Sequence, residues 1–215
     1  MTLALIPLCR RLRRDISAVS VVEFALITPL FLGAGMTGLE LTNRVLATQK
    51  VERIAATTAD LFARNKIKPN ERQVLDIFEA INLVASPFDV KNHGRVIVTG
   101  VVGIANSSSV VENKIAWQRC SGGLVSEQSS IGQEWEGDDY AKGPVVTLPN
   151  DIRLPLVQMV IVAEVVYDYQ PLISFNYLPG GSSNNLIRET SVYRVRAMSF
   201  TNITPIEGVT AAECS

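Results

Sequence analysis

The sequence predicts an α+β protein: one long N-terminal helix, a second short helix and an antiparallel sheet of about four strands. Three observations lead there. A single apolar block fills Val19 to Leu39, helical spacing of apolar residues recurs as far as Val84, and from Arg95 the period drops to two. The 215 residues suit one modest domain plus an appendage.

Hydrophobic residues make up 47% of the chain, slightly more than a soluble domain carries, and the first block accounts for the excess. Its 21 residues hold one ionisable group, Glu23. Crossing ~30 Å of bilayer hydrocarbon takes about 20 residues. Just upstream, Arg10, Arg11, Arg13 and Arg14 are offset only by Asp15, and such clusters stay cytoplasmic during insertion. The pattern therefore predicts a cytoplasmic basic leader over 1–18 and a single transmembrane segment over 19–41, N-terminus inside. All that follows would lie beyond the cytoplasmic (inner) membrane, in the periplasm where there are two membranes.

From Glu40 through Arg64 there is no proline or glycine, and Leu41, Val45, Thr48, Glu52, Ala55 and Ala59 recur at helical spacing among good helix formers. The helix is expected to continue outside the membrane over 42–66. Unbroken from Val19 to Arg64, it would be about 69 Å long, roughly twice what a bilayer needs. Leu46, Ile54, Leu61 and Phe62 are its candidates for packing against a domain. In the inner half, Pro29 removes a backbone donor and predicts a kink or local melting, while Gly33, Gly35 and Gly38 would let another helix approach.

The exported α+β domain is expected over 67–215. Pro69 stops what precedes it, Asn70 and Gln73 have the spacing of a capping box, and Val74, Ile77, Phe78, Ile81 and Val84 form one apolar stripe ending before Pro87. Val96–Ala105 and Val110–Cys120 flank the turn cluster Asn106–Ser109 and read as a β-hairpin. The polar, Gly-rich stretch Ser121–Asn150, with Glu127, Glu134, Glu136, Asp138 and Asp139, reads as a solvated excursion loop. Leu156–Gln170 is the strongest strand. Val157, Met159, Ile161, Ala163, Val165, Tyr167 and Tyr169 share one face, and the other mixes Gln158, Glu164 and Asp168 with valines, as expected of a sheet buried on one side and partly wet on the other. A last strand, about Leu186–Met198, follows the turn at 179–183.

Charge and chemistry exclude more than they suggest. With 20 Lys and Arg against 21 Asp and Glu, no global basic field draws nucleic acid to the chain. Cys9 falls in the leader, whereas Cys120 and Cys214 fall in the exported part, where disulfides form and persist, so these two are expected to pair. The sole histidine, His93, lies in a turn-like stretch without a second ligand at metal spacing. The acidic group at Asp138 and Asp139 lacks the calcium-loop pattern, and no phosphate-binding or nucleophile-elbow motif occurs. A glutamate within an apolar helix is different: it costs a few kcal/mol unless paired, protonated or snorkelling, so Glu23 invites a partner. The expectation is a protein without catalysis, cofactor or metal.

The run Ala18-Val19-Ser20-Val21-Val22-Glu23-Phe24-Ala25-Leu26 resembles the processing and assembly segment of type IV pilins and pseudopilins. Extended to Ile27-Thr28-Pro29, it is most similar to the TadE/TadG-like proteins of the tight-adherence, or Flp, pilus system. Gln49-Lys50-Val51, Trp117-Gln118-Arg119, the stretch Val162 to Leu172 and Tyr193-Arg194-Val195-Arg196 resemble later parts of the same family. The resemblance implies cleavage by a prepilin peptidase between Ala18 and Val19, leaving Glu23 as the fifth residue, although Ala18 stands where the family has glycine. The new ammonium at Val19 would then pair with Glu23 of a neighbour, with Phe24 beside it in the packed bundle. Implied partners are an Flp-type pilin, sibling TadE-like pseudopilins, the inner-membrane assembly platform, the prepilin peptidase and membrane lipid. The implied role is structural support of surface adhesion.

Two other readings stay open. In one, a single helix tethers a ligand-binding or sensing domain framed by the sheet and the polar loop. In the other, the N-terminus is a cleavable secretory signal with its cut near Gly33-Ala34-Gly35.

Overall fold

The computed structural model describes residues 19–64, 68–137, 139–172, 185–196 and 201–214. The leader, with Cys9, its four arginines and Ala18, lies outside the described residues, as do Asp138, the turn at 179–183 and the end of the last expected strand. The architecture is α+β. Helix α1 (Val19–Ala63) is followed by α2 (Glu71–Ala85), a single turn α3 (Val90–His93), the strands β1 (Gly94–Ala105), β2 (Val111–Ser121), β3 (Met159–Asp168) and β4 (Leu186–Arg194). All neighbours in the sheet are antiparallel, in the order β2-β1-β3-β4. The chain divides into two compact units between Arg44 and Val45, with Pro171 and Leu172 belonging to the first.

Helix α1 runs 45 residues, about 68 Å at 1.5 Å per residue, and continues through Pro29 without interruption. The local melting expected there does not occur. One missing amide bond in a helix this long leaves the flanking turns intact. Within the second unit, Ala47, Val51, Ile54, Ala55, Thr58, Ala59, Phe62 and Ala63 form the buried stripe. The expected packing residues Ile54 and Phe62 are in it, Leu61 is half-buried, and Leu46 faces solvent. Half of the stripe is alanine, so counting large apolar residues found only part of it. The Arg196 N–H donates to the Ala63 carbonyl, satisfying one acceptor at the helix end.

Asn70 and Gln73 form the expected capping box: the Asn70 side chain accepts from the Gln73 N–H at 2.9 Å and the Gln73 side chain from the Asn70 N–H at 3.1 Å. Val74, Phe78 and Ile81 are buried and Ile77 half-buried, but Ala85 takes the inward place expected of Val84, which is exposed. Phe62 of α1 lies 6.0 Å, between ring centroids, from both Phe78 of α2 and Trp117 of β2, so three elements meet on one ring. Gly100 stands opposite Trp117 at a β-bulge, where a Cβ would collide with the indole and with Met159.

The sheet is covered on both faces, which corrects the expectation of a wet side. Helices α1 and α2 bury one face through Val96, Val98, Trp117, Ile161, Ala163 and Val165. The loop expected to be a solvated excursion supplies Ile131, Val146 and Leu148, and the segment just after it Leu154, against Val101, Ile115, Val160 and Val162 on the other. These four apolar residues are too widely spaced to show a period. Strand β3 is also shorter than expected: Val157 adopts a φ of 63° and the Gln158 N–H donates to the Pro155 carbonyl, so residues 156–158 turn before the ladder begins. At the far end β4 gives way at Val195, whose N–H donates to the Met159 carbonyl.

Cys120 and Cys214 are bonded, with Cα atoms 4.9 Å apart and a sequence separation of 94. Closing such a loop restricts the unfolded chain by roughly 4 to 5 kcal/mol on the chain-entropy model. The C-terminal tail it holds also pairs by backbone: Cys120 N–H donates to the Ala212 carbonyl and Glu71 N–H to that of Thr204.

Candidate functional site

The first unit carries the residues that the sequence singles out. One helix is long and apolar enough to span a membrane, and no part of its apolar window is buried against protein. That window is apolar on all sides rather than along one stripe, the pattern of a helix surrounded by hydrocarbon or by other helices. Val19, Glu23 and Phe24 sit together on its surface, with Phe24 72% exposed. The hydroxyls of Thr28, Thr37 and Thr42 donate to the carbonyls of Phe24, Gly33 and Gly38 four residues back, so these polar groups make no demand on a solvent. A Cβ built on Gly33, Gly35 or Gly38 would meet nothing, so this chain itself does not need them small. Just past the apolar segment, the Glu40 carboxylate accepts from the Leu172 N–H at 3.0 Å.

The second unit buries charge in two clusters that sequence reading did not find. In one, Arg119 of β2 donates through Nε and Nη2 to the Glu71 carboxylate, at 3.0 and 2.6 Å, and through Nη1 to Glu134 at 3.4 Å. Glu134 also accepts from the Gln118 N–H at 2.8 Å, and its burial raises its pKa above the ordinary range, more than the bond from Gln118 and the charge of Arg119 lower it. In the other, Glu164 in mid-β3 is 0% exposed. Its carboxylate accepts from the Ser129 hydroxyl and from the Ser130 N–H and hydroxyl, with Arg188 at 3.4 Å and Arg188 in turn 2.8 Å from Glu127. A buried carboxylate needs such partners, since an uncompensated one costs several kcal/mol. The signal for it was a glutamate within the most apolar strand; the partners lie about 24 to 35 residues away and have no spacing to betray them.

These clusters tie the long loop to the sheet. Asp139, the described member of the acidic pair, caps the turn Tyr140–Lys142 by accepting from the Ala141 N–H. His93 is exposed at the end of α3. Among the described residues no three His, Cys, Asp or Glu side chains are placed to hold a metal ion. A groove of about 440 Å³ opens between the start of β2 and the segment Val145–Arg153, with Val110, Val145 and Ile152 at its exposed rim.

Against known proteins, the chain matches no family model, no curated protein and no solved structure.

Proposed function

We propose that this protein is a membrane-anchored, pseudopilin-like structural component of a tight-adherence pilus machinery. The N-terminus lies in the cytoplasm and the α+β domain beyond the inner membrane. In this reading the segment Val19–Arg44 enters a bundle of similar helices, formed with an Flp-type pilin and sibling pseudopilins, while the domain supplies contacts at the assembly platform. Its work is mechanical, without catalysis.

One observation carries the reading: a single continuous helix whose first half is apolar on every side, with Glu23 near its start, and whose second half is built into a domain. A plain anchor needs the first property but has no use for an exposed glutamate four residues after Val19. In a bundle, that carboxylate has a partner in the amino terminus of a neighbour, and pairing offsets the desolvation of both.

Replacing Glu23 with Ala is expected to leave membrane insertion and export intact while impairing pilus assembly and surface attachment. Normal pili in that strain would overturn the reading. Sequencing the mature N-terminus separates it from its competitors: Val19 for a processed pseudopilin, a start near Met36 for a secreted protein, and Met1 for an unprocessed anchor.

A further inference from the structure

Edge strands expose unpaired backbone groups, and proteins generally cover them. Strand β2 is an edge strand, and its outward groups can be followed one by one. Asn106 N–H donates to the Val110 carbonyl, which fixes the hydrogen-bonded phase of the β1–β2 ladder. Because that phase alternates, the next pair, Ala105 and Val111, turns its N–H and C=O groups away from each other. The same holds two residues on at Asn113, whose carbonyl accepts from the Val146 N–H. Past the bulge, Gln118 N–H is taken by the Glu134 carboxylate and Cys120 N–H by the Ala212 carbonyl. At Asn113, Gln118 and Cys120, then, the chain covers its own edge. At Val111 no described residue does so, and Val111 lines the groove.

The groove is held open rather than left over. Val145 pairs antiparallel with Lys114, so the chain starts along β2 and would reach Val111 three residues later, at Leu148. It departs instead because Leu148, 2% exposed, is drawn into the second core, and because Asn150 and Asp151 both adopt left-handed backbone at φ 59° and 52°. Two consecutive non-glycine residues in that region are costly and persist only where the surroundings hold them. The Asn113 side chain provides such a hold, donating to the Ile152 carbonyl at 2.8 Å and accepting from the Leu154 N–H at 3.1 Å.

We propose that this groove binds a short extended peptide segment of another protein, added antiparallel to β2 with its main chain paired to the N–H and C=O of Val111. The exposed donor and acceptor on one strand residue call for a backbone, not for a side chain or a lipid tail. Direction follows from Val145, whose own pairing the added strand continues. Length follows from Val146, which already occupies Asn113 and closes that end. The rim of Val110, Val145 and Ile152 selects β-branched or other apolar side chains at alternate positions. The inference stands apart from the pilus reading, since it uses no residue of the first unit.

The test uses the full chain in detergent micelles with ¹⁵N-valine, titrated with the peptide acetyl-Thr-Val-Thr-Val-Thr-amide. Saturable shifts at the amides of Val110, Val111, Val145 and Val146 are expected. Val111→Pro deletes the outward N–H without touching the ladder to β1, as edge prolines are tolerated where the N–H faces solvent, and it should weaken binding at least tenfold, whereas Val111→Ala should not. Should the proline variant fail to fold, the same loss is expected when both valines of the peptide are N-methylated against unaltered protein. No saturable shift up to millimolar peptide, equal binding of the methylated peptide, or shifts at these amides that track protein concentration alone would each overturn the proposal.

Discussion

Val19–Arg44 and Val45–Ala63 are two stretches of one helix that treat their side chains in opposite ways. In the first, the large residues face outward: Leu30 is 75% and Phe31 73% exposed. In the second, the residues hidden completely are mostly small, with Ala47, Ala55 and Ala59 all at 0% exposure, while Leu46 stays outside. Hydrophobicity alone would have buried the leucines and phenylalanines of both. What differs is the demand for shape. Packing onto a sheet and a second helix at interior density leaves room for alanine at half of the buried positions and for one ring, Phe62, between Phe78 and Trp117. A fluid or exchangeable surround asks only for apolar surface, without fixed complementarity.

The sharpest way to break this comparison is to make the same change in both stretches. Phe62→Ala removes a ring that touches Phe78 and Trp117 and is expected to cost about 3–5 kcal/mol in unfolding of the domain. Phe31→Ala should change that unfolding by no more than about 0.5 kcal/mol, since that ring stays largely exposed among the described residues. Denaturant titrations of both variants in detergent, followed by tryptophan fluorescence, read the difference; equal losses would show that the first stretch is packed like the second. A smaller contrast comes from adding atoms. Ala55→Leu should cost about 1–3 kcal/mol by overpacking, and Ala34→Leu should leave the thermal midpoint of the domain where it was.

The same division governs what could be read from the sequence. Local signals survived intact in the capping box of α2 and the hairpin turn at Asn106–Ser109, and the disulfide partners were legible because only two cysteines follow the apolar segment. Features built from distant residues did not. The second face of the sheet was expected to be wet because Glu164 lies on it, yet the structure dries it with Ile131 and Leu148 and satisfies Glu164 from Ser129, Ser130 and Arg188. Of the packing residues expected on α1, Ile54 and Phe62 lie in its inward stripe, whereas the alanines that share it carry too little hydrophobic signal to mark it. The open position at Val111 depends on where residues 145–153 leave the strand, which no spacing encodes. The proposed assembly site, Val19, Glu23 and Phe24, rests on a pattern that lies within one continuous segment.

Carboxylates extend the contrast, and they give the smallest effect. Glu23 is exposed on the first stretch, whereas Glu134 in the second unit is raised in pKa, chiefly by burial. A glutamate that holds its proton more tightly when native than when unfolded favours folding while protonated. Its contribution therefore falls as pH climbs from the ordinary glutamate range through the raised native value, and is level above it. Glutamine does not titrate but still accepts from the Gln118 N–H, so Glu134→Gln should gain stability relative to the unaltered protein across that window as pH rises. Asp60, Asp89 and Glu112 act in the opposite sense: bonds from Arg64, Asn92 and Asn106 respectively lower their pKa values, so their contributions are lost as pH falls. They are common to both proteins and cancel in the difference. Urea midpoints of the pair between pH 4 and 7 measure it. A difference independent of pH would mean that Arg119, which already holds Glu71, compensates Glu134 fully, and that burial in this unit carries no electrostatic cost at that site.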